Sequence, residues 1–450
     1  MKSINQHKVH IISLGCPKNL IDSEVMGGAL TKEGMQLVNR RELADIVIVN
    51  TCAFINPAKE EALEEILELA KEKKEGHRPF RIVVAGCLAQ RYGKELLAEI
   101  PEVDLFMGVG EVANIVRHIK SLDREKTRRP AVITRPDFLM TSQHTRILSA
   151  TAVSAYLKIS DGCSNCCTYC VIPSIRGKAR SRRPDDILQE AQMLAERGIK
   201  EIIITGQDTT AYGRDLKSHP SLPDLLTDMA RTKGIKWIRL LYAHPAHLTL
   251  EMMKAIAGNS KICRYIDLPI QHIDDKILEA MNRKVTAAGI QEAIVRARET
   301  IPGVALRTSI IVGFPGETPK RFDRLLDFIR ETKFDHLGVF PYSREEGTKA
   351  AIFPSRISEA EKERRRYIIM NEQAAISNKI NQGLIGSIQE VLIEGKSERS
   401  DYACVGRCRR QSPEIDGITY VKGKQIKTGS IVRCKITASD DYDLFARIID

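Results

Sequence analysis
The stretch YLKISDGCSNCCTYCVIP, residues 156–173, decides how this chain is read. An apolar run of strand character ends at Asp161 and Gly162, and four cysteines then crowd into residues 163–170. Three of them, Cys163, Cys167 and Cys170, are spaced CxxxCxxC. Three thiolates on one loop fit three corners of a four-iron cubane. Such a cluster normally takes four cysteines, so a three-cysteine loop leaves one iron open for a substrate or cofactor. A zinc knuckle that also used Cys166 would want a second CxxC or a His pair nearby, and neither stands there. Cys166 itself reads as a neighbouring thiol with no ligand role.

Downstream, candidate strands recur as EIIITG (201–206), WIRLLYA (237–243), YIDLPI (265–270), ALRTSIIVGF (305–314) and HLGVF (336–340). Helix-like stretches such as DDILQEAQMLAERG (185–198) and KRFDRLLDFIRETK (320–333) separate them. With AYLKI (155–159) they make six β/α repeats, which predicts a curved parallel sheet, either an open barrel or a doubly wound sheet, with its sites at the strand C-termini. A long charged helix is expected over 357–381. From about residue 383 short β-like runs, SIQEVLIEG, GITYVKG, SIVRCKITAS and DLFARIID, predict a small β-barrel.

Upstream, VHIISLG, DIVIVN and RIVVAG read as strands and EEALEEILELAKEKK as an amphipathic helix, an α/β unit with a parallel sheet. Each of those strands runs directly into a cysteine: Cys16, Cys52 and Cys87. Parallel strands end on one edge of a sheet, so these three, far apart in sequence, are expected together at the carboxyl edge, where open α/β sheets bind ligands. The bland alternative is three ordinary buried cysteines. The charged, proline-punctuated stretch that follows suits a linker lying over the surface. The predicted layout is an N-terminal α/β domain over 8–122, a linker over 123–148, a central domain over 149–378 and a terminal barrel over 379–450.

The chain has 450 residues, 43% of them hydrophobic, enough for two or three cores. Its net charge of +11 suits a polyanionic partner or simply a basic solvated surface. The N-terminus shows no long apolar run and no cleavage site, and no later stretch is apolar enough to span a bilayer, so a soluble, unprocessed, cytoplasmic protein without membrane attachment is expected. Eleven cysteines in such a chain speak for metal ligation before disulfides. Cys263, Cys404, Cys408 and Cys434 have no convincing spacing partner, and Cys404 and Cys408, a lone CxxxC in a β-rich region, read as semi-buried thiols.

Taken together, SLGCPKNLIDSE, VNTCAFI, VAGCLAQRY, the CxxxCxxC loop and the β-rich tail resemble the methylthiotransferases of the radical S-adenosylmethionine (SAM) superfamily over essentially the whole chain. The resemblance implies an N-terminal methylthiotransferase domain, a radical SAM partial (β/α)6 barrel and a TRAM domain. It implies two [4Fe-4S] clusters: one on Cys163, Cys167 and Cys170 that binds and cleaves SAM, and an auxiliary one on Cys16, Cys52 and Cys87 that carries the inserted sulfur. Tyr169 would lie near the adenine. Gly206, Gln207 and Asp208 in ITGQDTT stand where the superfamily holds the methionine amino group, although they depart from its GGE form. TSIIVGFPGET resembles the later strand whose backbone packs on the adenine. No catalytic side chain beyond the cluster ligands is singled out, and His244, His247 and His272 near strand ends read as polar lining.

Two branches of that family compete: one modifies an aspartate of small-subunit ribosomal protein twelve, the other (MiaB-like) an isopentenyl-adenosine beside the tRNA anticodon. GCPKN with NLIDSE follows the first, where the second tends to GCQMN. YIDLPIQH lacks the QSGS run of the tRNA enzymes, and SPEIDG (412–417) is similar to the tail of the ribosomal-protein branch. The tail also mixes acids with its Lys and Arg, whereas a grip on RNA phosphates calls for a one-sidedly basic surface. The expected reaction places a methylthio group on the aspartate β-carbon. The implied partners are ribosomal protein twelve, free or in its subunit, a one-electron reductant such as flavodoxin or ferredoxin, and a sulfur donor, with tRNA only under the alternative. An electron-transfer protein would want four cysteines at each cluster.

Overall fold
The computed structural model describes residues 7–76, 78–124, 130–149, 151–354 and 356–449. The chain divides into two compact units, the first made of residues 1–148, 158–182 and 343–348, the second of 149–157, 183–342 and 349–450.

The first unit is built on a six-stranded parallel sheet: β1 (Lys8–Ser13), β2 (Gln36–Leu37), β3 (Ile46–Thr51), β4 (Arg81–Gly86), β5 (Leu105–Met107) and β6 (Ala131–Val132), in the spatial order β2-β1-β3-β4-β5-β6. Every residue of β3 is buried, as a parallel strand covered on both faces requires. Val47, Val49, Ile82 and Val84 share a core with Ala62, Ile66 and Leu69 of helix α2 (Asn56–Lys74). Helix α1 (Pro17–Lys32) follows β1, α3 (Cys87–Glu99) follows β4, and α4 (Ile115–Arg124) leads toward β6. Proline at the start of α1 and α2 fits the first helical turn, where the missing N–H has no partner to lose.

The stretch expected as a surface linker does more than cross the surface. Its β6 extends the sheet beside β5, and Met140 and Arg146 are buried. A Cβ on Gly28 would stand 2.0 Å from the Thr145 carbonyl oxygen, so the bare helix backbone lets the segment press against it. Charge and proline hid this, because short edge pairing leaves little periodicity to read. Residues 125–129 of that expectation, and 1–6 of the expected unprocessed N-terminus, lie outside the described residues.

Strand β7 (Ser154–Lys158) carries the chain into the return segment of the first unit. There β8 (Ser160–Asp161) pairs antiparallel with β9 (Arg180–Ser181), framing the cysteine loop and the short helix α5 (Ile172–Arg176). Val171 and Ile175 reach the same apolar core as β3 and β4.

In the second unit β7, β10 (Glu201–Thr205) and β11 (Trp237–Leu240) form one three-stranded sheet, and β12 (Tyr265–Asp267), β13 (Ala305–Val312) and β14 (His336–Pro341) another. Ala243 N–H donates to the Asp267 carbonyl at 2.9 Å and Ile238 bridges Ile262 in parallel, so the two sheets continue as one six-stranded arc. Helices α6 (Pro184–Glu196), α7 (Leu222–Ala230), α8 (Leu250–Gly258), α9 (Asp275–Ala280), α10 (Ala287–Thr300) and α11 (Pro319–Thr332) connect the strands. Ser221, Thr249, Asp274, Thr286 and Thr318 cap five of them through side-chain oxygens. This is the expected partial (β/α)6 barrel.

The long helix α12 (Glu359–Gln382) leads to a closed five-stranded barrel of β15 (Ile388–Lys396), β16 (Cys404–Cys408), β17 (Thr419–Lys422), β18 (Ile431–Ser439) and β19 (Leu444–Ile448). Strand β16, CVGRC, was not among the four expected runs. Its Cys404 and Cys408 are wholly buried core residues and not semi-buried ones, and Cys434 shares that core. Arg407 of β16 reaches Glu201 of β10 at 2.6 Å, and Arg239 of β11 meets the same carboxylate at 2.8 Å. Asp416, in the SPEIDG segment, accepts from Tyr265 Oη at 2.7 Å and from the Ser412 N–H at 2.8 Å. Among the described residues no helix is long and apolar enough to cross a membrane.

Candidate functional site
Cys16, Cys52 and Cys87 emerge from the carboxyl ends of the neighbouring strands β1, β3 and β4, whose register sets Ser13 beside Asn50 and Thr51 beside Gly86. Cys16 caps α1 and Cys87 opens α3, so two helix N-termini, with their partial positive charge, face this edge. The backbone is cut close around them. Gly15 holds φ +87, and a Cβ there would lie 2.5 Å from Cys52 Cβ and 2.9 Å from its Sγ. Gly86 holds φ +94, with the Thr51 carbonyl 2.6 Å from where its Cβ would be.

Asn19 of α1 ties the edge together, its Nδ2 donating to the carbonyls of Thr51 at 2.8 Å and Leu14 at 3.1 Å. Asn50 donates in turn to the Asn19 carbonyl at 2.8 Å. Burial pushes the Cys52 thiol up to about 11, with Cys16 adding to the rise and Arg176 opposing it. Burial pushes Cys87 up to about 12, again against the pull of Arg176. These thiols therefore stay protonated near neutrality until a metal displaces the proton.

The second trio stands on the loop after β8. Gly162, at φ +78, leaves no room for a side chain, since the Lys178 carbonyl oxygen lies 2.2 Å from its absent Cβ. Cys163 N–H donates to the Gly177 carbonyl at 3.1 Å and Cys170 N–H to that of Cys167 at 3.1 Å, which curls the loop. Cys163, Cys167, Tyr169 and Cys170 are half-buried, whereas Cys166 takes a left-handed backbone and is exposed. The exposure of Cys166 sets it apart from the other three.

A buried charge network in the first unit, which the sequence reading missed, joins the two trios. Arg176 Nη1 donates to Asp161 at 3.1 Å, while its Nη2 reaches Asp22 at 2.8 Å, Asn19 Oδ1 at 2.7 Å and Cys87 Sγ at 3.8 Å. Lys158 Nζ binds Asp22 at 2.6 Å and Asp161 at 3.0 Å. All four charged groups are buried, two cations against two carboxylates, which is how such groups survive desolvation. The available signal was NLIDSE, whose Asn19 and Asp22 are three apart and so share a helix face.

In the second unit Gly206, Gln207 and Asp208 follow β10 at its carboxyl end. Asp208 accepts from Thr210 Oγ1 at 2.6 Å and from the Ala211 N–H at 3.2 Å, and pairs with His247 Nδ1 at 2.8 Å. His244 lies beside His247, ring centres 4.8 Å apart, and burial pushes its pKa down to about 3. His272 is buried with its Nε2 3.6 Å from Glu317 Oε1.

Among the described residues no three His, Cys, Asp or Glu side chains converge on a single ion. A cubane does not ask for that, because each thiolate binds a different iron. Both trios fit such a group: three thiols each, on glycine-cut backbone, and in the first case with a buried guanidinium beside the Cys87 sulfur.

The chain matches the family described as uncharacterized protein family UPF0004 over residues 8–108, the radical SAM superfamily over 157–329 and the TRAM domain over 385–449. Among solved structures, the radical SAM methyltransferase TsrM from Kitasatospora setae, with cobalamin and a [4Fe-4S] cluster bound, is similar at TM-score 0.54 and 15% identity, over 86% of this chain and 77% of that one. The cobalamin-dependent radical SAM enzyme OxsB is similar at TM-score 0.51 and 13% identity, over 81% and 57%. These likenesses concern the fold. Full-length relatives go further. The ribosomal protein uS12 methylthiotransferase RimO of Syntrophus aciditrophicus is 55% identical over 99% of each chain, and that of Geobacter sulfurreducens 48% identical over 99% of each. With that identity sustained from end to end, the chain belongs to the ribosomal protein uS12 methylthiotransferase (RimO) family.

Proposed function
We propose that this chain is a radical SAM methylthiotransferase that adds a methylthio group to the β-carbon of an aspartate of ribosomal protein uS12. The observation that supports this most is the gathering of Cys16, Cys52 and Cys87 at one sheet edge, in the same unit as a second three-cysteine loop. In this reading Cys163, Cys167 and Cys170 hold the cluster that binds SAM, and Cys16, Cys52 and Cys87 the auxiliary one. Tyr169, Gly206, Gln207 and Asp208 contact SAM. The domain limits 8–122, 149–378 and 379–450, with a linker over 123–148, belong to the same proposal.

The β-hydrogen of a carboxylate side chain is too weakly acidic for an ordinary general base at neutral pH. When bound, the clusters and SAM would supply one-electron hydrogen-abstraction chemistry in its place, and the methylthio group. The chain's own part is placement. Gly15 lets backbone approach the Cys52 thiol, Gly86 and Gly162 let neighbouring backbone close in beside Cys87 and Cys163, and Arg176, Lys158, Asp22 and Asp161 lock the cysteine loop to the sheet edge. The reaction runs in the cytoplasm, with a flavodoxin- or ferredoxin-like reductant and a separate sulfur donor. The test is mass spectrometry of uS12 and of tRNA nucleosides from cells lacking the chain. Loss of the methylthio mass from uS12 supports the reading, and loss from tRNA overturns it.

A further inference from the structure
Arg176 ends a five-residue helix whose Ile175, with the preceding Val171, is fixed in the core of the first unit. The next residue, Gly177 at φ +74, accepts the Cys163 N–H at 3.1 Å, so the backbone at Arg176 also sets the first cysteine of the loop. The guanidinium is 3% exposed. Its two ends serve different parts of the unit, Asp161 beside the loop and Asp22, Asn19 and Cys87 at the sheet edge.

Lys158 bridges the same two carboxylates, and Arg176 is the second cation that balances them. What Arg176 adds is a cation beside a thiol. Arg176 sets its Nη2, whose two hydrogens go to Asn19 Oδ1 and Asp22, 3.8 Å from Cys87 Sγ, so that its buried positive charge lies beside the sulfur. Hydrogen bonds and positive charge at a cluster's ligand sulfurs favour its more reduced, more negative state and so raise its potential.

We propose that Arg176 is a positioning residue that couples the two cysteine sites, and that its buried positive charge beside Cys87 holds the auxiliary cluster at a more positive reduction potential. This rests on the reading that Cys16, Cys52 and Cys87 ligate a cluster. The planar fork is essential: a lysine at 176 would keep the charge but could not reach Asp161, Asp22 and the thiol together.

The test uses the full chain carrying Cys163→Ala, Cys167→Ala and Cys170→Ala, reconstituted anaerobically so that only the auxiliary cluster contributes. Its midpoint is read by an EPR-monitored redox titration, with Arg176, Arg176→Gln and Arg176→Lys compared. The expected result is a negative shift in Arg176→Gln and a smaller one of the same sign in Arg176→Lys. Should Arg176→Gln fail to fold, by circular dichroism, the lysine variant alone decides. A folded, iron-loaded variant with an unchanged midpoint overturns the role of Arg176 and leaves the cluster assignment standing. A background protein that takes up no iron overturns the cluster assignment itself.

Discussion

Gly15 lies so close to Cys52 that a single added methyl group would meet both the Cβ, at 2.5 Å, and the Sγ, at 2.9 Å. Its φ of +87 adds backbone strain to any side chain placed there. Gly15→Ala is therefore expected to displace Cys52, lower stability by about 1–3 kcal/mol, and empty the auxiliary site while sparing the other. Iron and sulfide per chain after anaerobic reconstitution check this, and a full complement in the variant would count against it.

The network around Arg176 makes a second expectation quantitative. Asp22→Ala leaves Lys158 and Arg176 short of a buried anion, and breaking a buried pair from one side costs about 3–5 kcal/mol. The exposed pair Lys276 and Glu279, 3.9 Å apart, serves as the control. Lys276→Ala should cost less than about 1 kcal/mol. Urea midpoints of the two variants, measured side by side, should differ accordingly.

Acid should loosen the second unit through Glu201. Burial alone would raise its pKa, but Arg407 and Arg239 outweigh that and hold it at about 2, below the ordinary 4.5. A carboxylate depressed on folding stabilises the protein fully above its unfolded pKa, and that stability drains as pH falls from about 4.5 toward 2. The contribution is on the order of 3 kcal/mol. The gap between the urea midpoints of wild type and Glu201→Gln should therefore hold above about pH 4.5 and shrink as pH falls toward 2, and a gap that stays constant over that range would refute the assignment.

Cys404, Cys408 and Cys434 are core residues of the terminal barrel. Changing each to Ser puts a hydroxyl among apolar neighbours at a cost of about 1–3 kcal/mol. Iron content should be unaffected. A loss of iron in any of the three variants would show that the barrel thiols take part in cluster binding.

How far the sequence could be read follows from the range of each interaction. The positions of Cys16, Cys52 and Cys87 were legible because parallel strands deliver their last residues to a common edge, whatever separates them in sequence. The six repeats of the arc and helix α12 were legible from local periodicity. The pairing of Asp22 with Lys158 and Arg176 was not, since it spans more than 130 residues and the local spacing of Asn19 and Asp22 does not name their partners. Strand β16 escaped because Gly406 and Arg407 break its apolar alternation, although Arg407 turns out to be the buried anchor to Glu201. The close fit of Gly15 to Cys52 likewise exists only once two strands are side by side.

Iron analysis with Mössbauer spectroscopy on anaerobically reconstituted protein tests the account most directly. The wild-type chain should hold about eight irons in two four-iron clusters, and the Cys163→Ala, Cys167→Ala, Cys170→Ala protein about four. A wild-type chain that never exceeds about four irons, all of them lost in that triple variant, would contradict it.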